Sequence, residues 1–536
     1  MQNQQNKEIL LRMTKQFNFG LAILLIFLFF CLWKSWDHSL HDFSNYYYGG
    51  QLLLDNQFDE SIYNADNCNT IIKERYDPLY FGAYYPNPPS LAVLYSPCSI
   101  LDPRLAKLLL NFLSIGIFTL ALYKLFQKWK IPQINLAVLP LVFCYPLYNC
   151  ILFGQPYLIV VGLIIFGVLQ LQSQNNRIGY LAWPLAILLK VSPIVLLSIP
   201  LLERKFKDLF IYSVLIIAGI LLSFIWIDLS TWVYYVTHVL SKVSDGILYN
   251  SYAIGAESMP VMLRHLMLHD PLLNPNPFID SVILFTVVFA CIKAILYTIG
   301  IRASSLSQIP SGQKVALWLT LLLLMSPNIS SYGLNYLIVP YLYLIYHQRK
   351  IDIPASILLF GISIYSQSWV EDWPMIFQFG KLIGIVFFLI YFMYRTDLVR
   401  RLFDKWTIIL FSALSLFFIL LGGKWNTVTN TTYVLDHKVN AILHDCTLSE
   451  NRDSLIMINH AVGGYNTTSV KLKEKSKKST ISPEELHIFN QVTQHKGVTV
   501  KKYFKVNNHI YYMTDEGRAP GFYTIKQLTL SKISDD

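Results

Sequence analysis

Asp42 is a carboxylate set in an aromatic stretch, Trp36-Asp37-His38-Ser39-Leu40-His41-Asp42-Phe43-Ser44-Asn45-Tyr46-Tyr47-Tyr48-Gly49-Gly50. It follows an apolar run, Phe17 to Trp33, long enough to cross a bilayer. A carboxylate at a membrane boundary can take a proton from an attacking hydroxyl, or it can cap a helix or anchor a structural hydrogen bond. Further polar groups follow at intervals: Gly154-Gln155-Pro156-Tyr157, Lys190, Asn250, Glu257, Arg264 and Ser326-Pro327-Asn328. Lys190 and Arg264 suit a phosphate. Their alternatives are a lysine snorkelling to the interface and an Arg264–Glu257 salt bridge. Tyr46, Tyr47, Tyr84 and Tyr85 could stack on a sugar or shield a lipid chain, or serve as interface anchors. A base, cations and aromatic surfaces together fit a phosphate-linked, sugar-bearing lipid. Asp37, His38 and His41, with Asp42, could hold a hard divalent cation assisting phosphate departure, although none is required. His265 and His269 stand one helical turn apart, but the glutamate of an HExxH zinc motif is missing.

The elements that must position these groups belong to an integral membrane protein. Hydrophobic residues make up 54% of the chain and charged residues 14%, where soluble domains average about 25% charged. Mean hydropathy is +0.42. The first helix is too long for a cleaved signal and reads as an uncleaved anchor. The 7 cysteines show no metal-type spacing. Five lie in or against apolar runs, and only Cys68 and Cys446 are left to pair. No internal repeat is evident, which gives an inverted-repeat transporter no support.

Apolar segments are expected near 17–36, 104–126, 132–150, 156–172, 208–227, 279–301, 313–326, 334–347, 352–367, 375–395 and 406–422. Gly179 to Leu202 carries Pro184, Lys190 and Pro193, and is expected to form two half-helices hinged at Lys190–Pro193. That makes 13 membrane segments. With the N-terminus cytoplasmic, the links on that side then receive most lysines and arginines. The first loop (37–103) and the large loop (229–277) fall on the outer face with the polar groups above. Residues 1–423 form the transmembrane catalytic domain. Residues 424–536 form a small outer α/β domain, with a helix starting at Ser482-Pro483-Glu484-Glu485 and stopping near Gly497. A hairpin is expected to turn at Asn507-Asn508. Its lysines, part of a net charge of +10, suit an anionic surface such as lipid headgroups or simply solvate an appendage.

The order of the motifs, Asp-Phe-x-x-Tyr-Tyr after the first helix, Tyr-Pro-x-Pro-Pro, Gly-Gln, a Leu-Lys-x-x-Pro hinge, an Asn…Arg loop and a Ser-Pro turn, resembles the GT-C membrane glycosyltransferases. It is most similar to glycosyltransferase family 87, the polyprenol-phosphate-mannose-dependent mannosyltransferases, over roughly residues 15–400. The resemblance implies a multi-pass α-helical GT-C fold in a bacterial inner membrane, and no nucleic-acid partner. It implies inverting transfer of mannose or another hexose or pentose from a polyprenyl-phosphate donor to a glycolipid, glycan or other acceptor on the outer face. Asp42 matches the first-loop base. Lys190 and Arg264 match positions suited to the donor phosphate, while Tyr46, Tyr47, Tyr85, Gln155, Asn250 and Glu257 would contact substrate. The chain departs from the pattern at Tyr157, where the family often has Asn, and at Ser330-Ser331-Tyr332-Gly333, where His is frequent. The longer C-terminal domain resembles that of lipid A aminoarabinose transferases. The rival classes are an envelope-polysaccharide polymerase or ligase and a lipid-linked sugar flippase. A flippase would need polar groups deep in the spans, where Lys293 and Lys381 stand with no acid expected beside them.

Overall fold

A computed structural model describes residues 2–80, 85–172, 179–240, 242–243, 252, 254–270, 274–370, 372–402, 404–422, 431–433, 442–451, 453–461, 464–472, 481–495, 499–515 and 521–529. Asn250, one of the expected substrate contacts, lies outside these residues, as do Tyr84 and the expected domain boundary at 423–424.

Helices dominate up to Gly422. Among the described residues, five are long and apolar enough to cross a membrane: Phe19–Trp36, Pro103–Trp129, Phe206–Ser223, Val282–Ser305 and Met375–Arg395. The segment expected as one span at 132–150 is broken instead, into Gln133–Val142 and Cys144–Leu152, bent by 75°. Proline explains the break. Pro140 starts one short helix, and Pro146, lacking an N–H, leaves the carbonyl of Val142 without its helical donor. Counted as one bent span, this pair gives six. Most of the other expected segments are present as shorter apolar helices, among them Tyr157–Leu171, Ser311–Met325 and Ile353–Ile364. The helix Gly179–Leu189 ends just before Lys190, and the chain restarts at Ser192 with Pro193 in its first turn, so the break falls at the expected hinge.

The aromatic stretch after the first helix is not a loop throughout. From Phe43 to Leu54 it is helical, and its glycines are there for close packing. A Cβ on Gly49 would lie 2.6 Å from the Tyr85 ring, and one on Gly50 would lie 2.3 Å from Ser99 Oγ. The helix therefore packs tightly on Tyr85 and on the helix Pro89–Ser99.

Beyond the helices, the described residues hold seven antiparallel strands in two sheets. Strands β1 (Thr431–Tyr433), β7 (Thr524–Thr529), β6 (His509–Thr514) and β5 (Val500–Val506) make one in that order, and β2 (Leu443–Leu448), β3 (Ser454–Ala461) and β4 (Gly464–Lys471) the other. The helix Pro483–His495 starts where expected, on a reciprocal cap. The Glu485 N–H donates to Ser482 Oγ (3.2 Å) and the Ser482 N–H to Glu485 Oε2 (2.9 Å). The β5–β6 hairpin turns at Asn507-Asn508, with Asn507 left-handed (φ 53°). With this one helix among the described residues, the region is mainly β rather than α/β. All seven cysteines are free, so Cys68 and Cys446 do not pair.

This β region grips the first loop. Lys73, on the helix Ala65–Arg75, donates to the carbonyls of Ala461 (2.8 Å) and Gly464 (2.6 Å). Asp66 on the same helix receives His444, His460 and Lys501. The contact puts the first loop and the β region on the same side of the helical bundle.

Candidate active site

Asp42 is placed by a turn that the sequence makes sharp. His41 takes a left-handed backbone (φ 49°), its carbonyl accepts from the Ser44 N–H (3.0 Å) and Oγ (2.6 Å), and the helix Phe43–Leu54 begins. Asp42 occupies the capping position of that helix, yet its side chain makes no capping bond. The carboxylate is turned away, toward residues more than a hundred positions on.

Gln155 Nε2 donates to Asp42 Oδ2 at 2.7 Å. Gln155 Oε1 in turn accepts from the Tyr46 hydroxyl at 2.7 Å, which fixes which way the amide points. His41 Nδ1 lies 3.0 Å from Asp42 Oδ1, and Tyr332 also hydrogen-bonds the carboxylate. Burial pushes the Asp42 carboxyl up, but His41, Gln155 and Tyr332 together outweigh it and hold the pKa below the ordinary aspartate value. The side chain keeps 28% of its surface exposed. The result is an ionised, oriented and accessible carboxylate.

An aromatic wall leads from it to Lys190. His41 stacks on Phe153 (4.1 Å between centroids), Phe153 meets Tyr332 edge-on (6.4 Å), and Tyr332 packs on Tyr157 (5.3 Å). Lys190 Nζ lies over the Tyr157 ring at 4.9 Å. Tyr336 backs this ring, 5.3 Å from Tyr157, with its hydroxyl 3.2 Å from Ser192 Oγ.

Gly154 makes the Gln155 turn feasible. Its φ is +64°, and a Cβ there would sit 2.7 Å from Phe43 Cβ. Gly154→Ala is expected to cost about 1–2 kcal/mol for the left-handed backbone alone, with the clash against Phe43 added. Thermal unfolding should show the loss, and transfer activity should fall because Gln155 is carried off Asp42. Gln155→Leu removes a hydrogen bond to a charged group, worth about 1.5–3 kcal/mol. Transfer is expected to drop roughly tenfold or more. Since Gln155 lowers the Asp42 pKa, its loss raises that pKa, and the acid limb of kcat/KM should move to higher pH. A limb that stays in place would show that Gln155 does not act on Asp42.

The other expected residues lie elsewhere. Tyr47 is buried and donates to the Leu101 carbonyl (2.8 Å), and Tyr85 is 1% exposed among Phe58 and Tyr63. Both rings are core, Tyr85 packed against Gly49, although the Tyr85 hydroxyl has no hydrogen-bond partner. Arg264, on the helix Met259–Met267, is buried with its guanidinium 5.9 Å from the Phe285 ring. Glu257 does not pair with Arg264. Its Oε1 accepts from Lys381 Nζ at 2.6 Å and its Oε2 from the Lys381 N–H at 3.1 Å. Lys381 thus has an acid beside it after all. The turn carrying Glu257 is tied to the Ser-Pro segment by Ile329 N–H donating to the Ala256 carbonyl (2.8 Å). Asp37, His38 and His41 do not assemble into a group that could hold a metal. His265 and His269 point to different backbone carbonyls, of Tyr252 and Pro275.

Comparison with known proteins bears on the class. Residues 85–327 match glycosyltransferase family 87. The match bears out the resemblance read from the sequence and is consistent with a membrane glycosyltransferase of the GT-C superfamily. No curated protein and no solved structure matches the chain significantly. The family 87 region spans a little under half of the chain. It includes Tyr85, Gln155, Lys190, Glu257 and Arg264, begins after Asp42, Tyr46 and Tyr47, and ends before Tyr332. The Asp42 constellation is therefore assembled from inside and outside the family 87 region.

Sequence reasoning missed Tyr332 and His41 as partners of Asp42, and Lys381 as partner of Glu257. One signal was available for Tyr332: it stands in the short run where the chain departs from the family pattern.

Proposed function

We propose that this glycosyltransferase uses Asp42 as the base in an inverting transfer from a polyprenyl-phosphate sugar. The observation that carries the reading is the Asp42 carboxylate, oriented by Gln155, kept ionised and left partly open, beside an aromatic wall that ends at the cation of Lys190. Asp42 takes the proton of the acceptor hydroxyl. The hydroxyl oxygen forms a bond to the anomeric carbon from the face opposite the phosphate. The bond from that carbon to the phosphate oxygen breaks, its electron pair leaves with the phosphate, and Lys190 stabilises the charge. Phosphate is already a stable leaving group, so a base of low pKa suffices as long as it acts late, when the attacking hydroxyl has become acidic. The sugar is mannose or another hexose or pentose, the acceptor a glycolipid or glycan. Transfer takes place on the outer face, where the β region also lies. Arg264, buried against Phe285, is not part of this step.

Purified protein in lipid vesicles, offered radiolabelled polyprenyl-phosphate mannose and a hydroxyl-bearing lipid acceptor, tests the proposal. Label appearing on the acceptor with inverted anomeric configuration is expected. Label crossing the bilayer while still on its polyprenyl phosphate would point to a flippase and overturn it.

A further inference from the structure

Asp66, His444 and His460 come from three separate segments, and their ligand atoms all lie within 4.8 Å of one another. They are the only such group among the described residues. Asp66 is on the first-loop helix Ala65–Arg75, His444 on β2 and His460 on β3. Each imidazole directs one nitrogen at the same oxygen, Asp66 Oδ1: His444 Nδ1 at 2.8 Å and His460 Nε2 at 2.8 Å.

The strand pairing is bent to achieve this. Leu443 pairs with Asn459 but Asp445 with Ile458, so His444 is the extra residue of a bulge. Bulges re-aim side chains next to functional sites. The two imidazole rings end up 5.0 Å apart, and Tyr465 covers them at 4.9 and 5.1 Å. His460 and Asp66 are almost fully buried, while His444 keeps 31% of its surface exposed. The site thus has one wet side through which an ion can enter and a water can complete its shell.

We propose that Asp66, His444 and His460 bind a divalent transition-metal ion, with zinc the best fit. Two imidazoles and one carboxylate with an open fourth position make a tetrahedral zinc set, whereas magnesium and calcium prefer all-oxygen shells. Zinc holds its ligands at about 2.0–2.1 Å, so neighbouring ligand atoms stand roughly 3.4 Å apart. The imidazoles need to back off Asp66 Oδ1 by only about half an ångström. Lys501 already engages Asp66 Oδ2 and the His444 carbonyl, and this keeps the carboxylate monodentate through Oδ1. Lys73 is turned aside to backbone carbonyls and does not compete. Such an ion would fasten the C-terminal sheets to the first loop, and its role does not depend on the glycosyl-transfer reading.

The test uses full-length protein in detergent, stripped with a chelator and titrated with Zn2+, with bound metal counted by elemental analysis. One zinc per chain is expected, with X-ray absorption showing two imidazole ligands. His444→Ala leaves Asp66, His460 and Lys501 in contact and should weaken zinc binding at least about tenfold. Lys501→Met disturbs the docking but spares the ligands, and should keep zinc. No zinc binding, or unchanged binding in His444→Ala, would overturn the proposal. So would a loss in Lys501→Met as complete as in His444→Ala, because binding would then follow docking rather than ligation.

Discussion

Replacing Asp42 with asparagine is expected to lower transfer by about 10²–10⁴-fold, the range contributed by a positioned general base, with little change in folding. The substitution is nearly isosteric. The asparagine oxygen can accept from Gln155 Nε2 where Asp42 Oδ2 now does, and its amide can face His41 Nδ1 as a donor. Because Asp42 makes no capping bond to its helix, no hydrogen bond of the Phe43–Leu54 helix depends on the charge, and the loss of its dipole interaction costs only about 0.3–1 kcal/mol. Melting temperature and donor binding should therefore stay near wild type while initial rates collapse. A rate within twofold of wild type would remove Asp42 from the chemistry. The wild-type pH profile carries the same information. With the Asp42 pKa held below its ordinary value, near 4, the acid limb should lie below that value and the rate should be insensitive to this group through neutral pH.

Asp66→Ala is expected to produce the largest loss of stability, about 3 kcal/mol, the scale on which removing one member of a buried ionic group leaves its partners uncompensated. Three donors lose their acceptor at once: His444, His460 and Lys501. His460 is fully buried and has nowhere to turn. The measurement is the unfolding temperature of the protein together with the rate at which protease releases the C-terminal region. If neither changes, the contact is incidental. The pH dependence has a definite sign. Burial pushes the Asp66 carboxyl up, yet His460, Lys501 and His444 outweigh it and leave its pKa lowered. A lowered carboxyl contributes stability that is present above its unfolded value, near 4. That contribution is lost as pH falls through the folded value. Burial also holds the His460 pKa below its ordinary value, so the contact should begin to weaken as pH falls below about 6.5 and should lose the Asp66 contribution below about 4.

What the sequence disclosed depended on how local the cause was. The membrane class, the break at Lys190–Pro193, the Ser482 cap and the Asn507-Asn508 turn were all legible, because proline, capping residues and composition act within a few positions. Gly154 and Gln155 were singled out as a motif, but the bond from Gln155 to Asp42 bridges 113 residues and no periodicity announces it. The same limit explains the tyrosines. Tyr46, Tyr47 and Tyr85 look alike in sequence and all three are buried, yet only the Tyr46 hydroxyl reaches the amide beside Asp42, while Tyr47 donates to the Leu101 carbonyl and Tyr85 packs on Gly49. The Arg264–Glu257 pairing failed for a similar reason. Lys381, 124 residues beyond Glu257, reaches the carboxylate instead. Tyr157 and Tyr332, read as departures from a family pattern, turn out to be neighbours that join Asp42 to Lys190.

The grip of the β region on the first loop also sets an order of events during synthesis. Asp66 and His444 are 378 residues apart, and every apolar helix after the first is made in between. At about 5–20 residues per second, the helix bearing Asp66 and Lys73 must wait roughly 20–75 s for its partners to be made. Until then a carboxylate and a lysine destined for a dry contact stand in water, next to the segment that carries Asp42. The union of the first loop with β2 and β3 forms late in synthesis, and the pairing of β1 with β7 follows it. That union closes only after the helices between its two sides have been made, so a chain cut short anywhere in between never forms the contact.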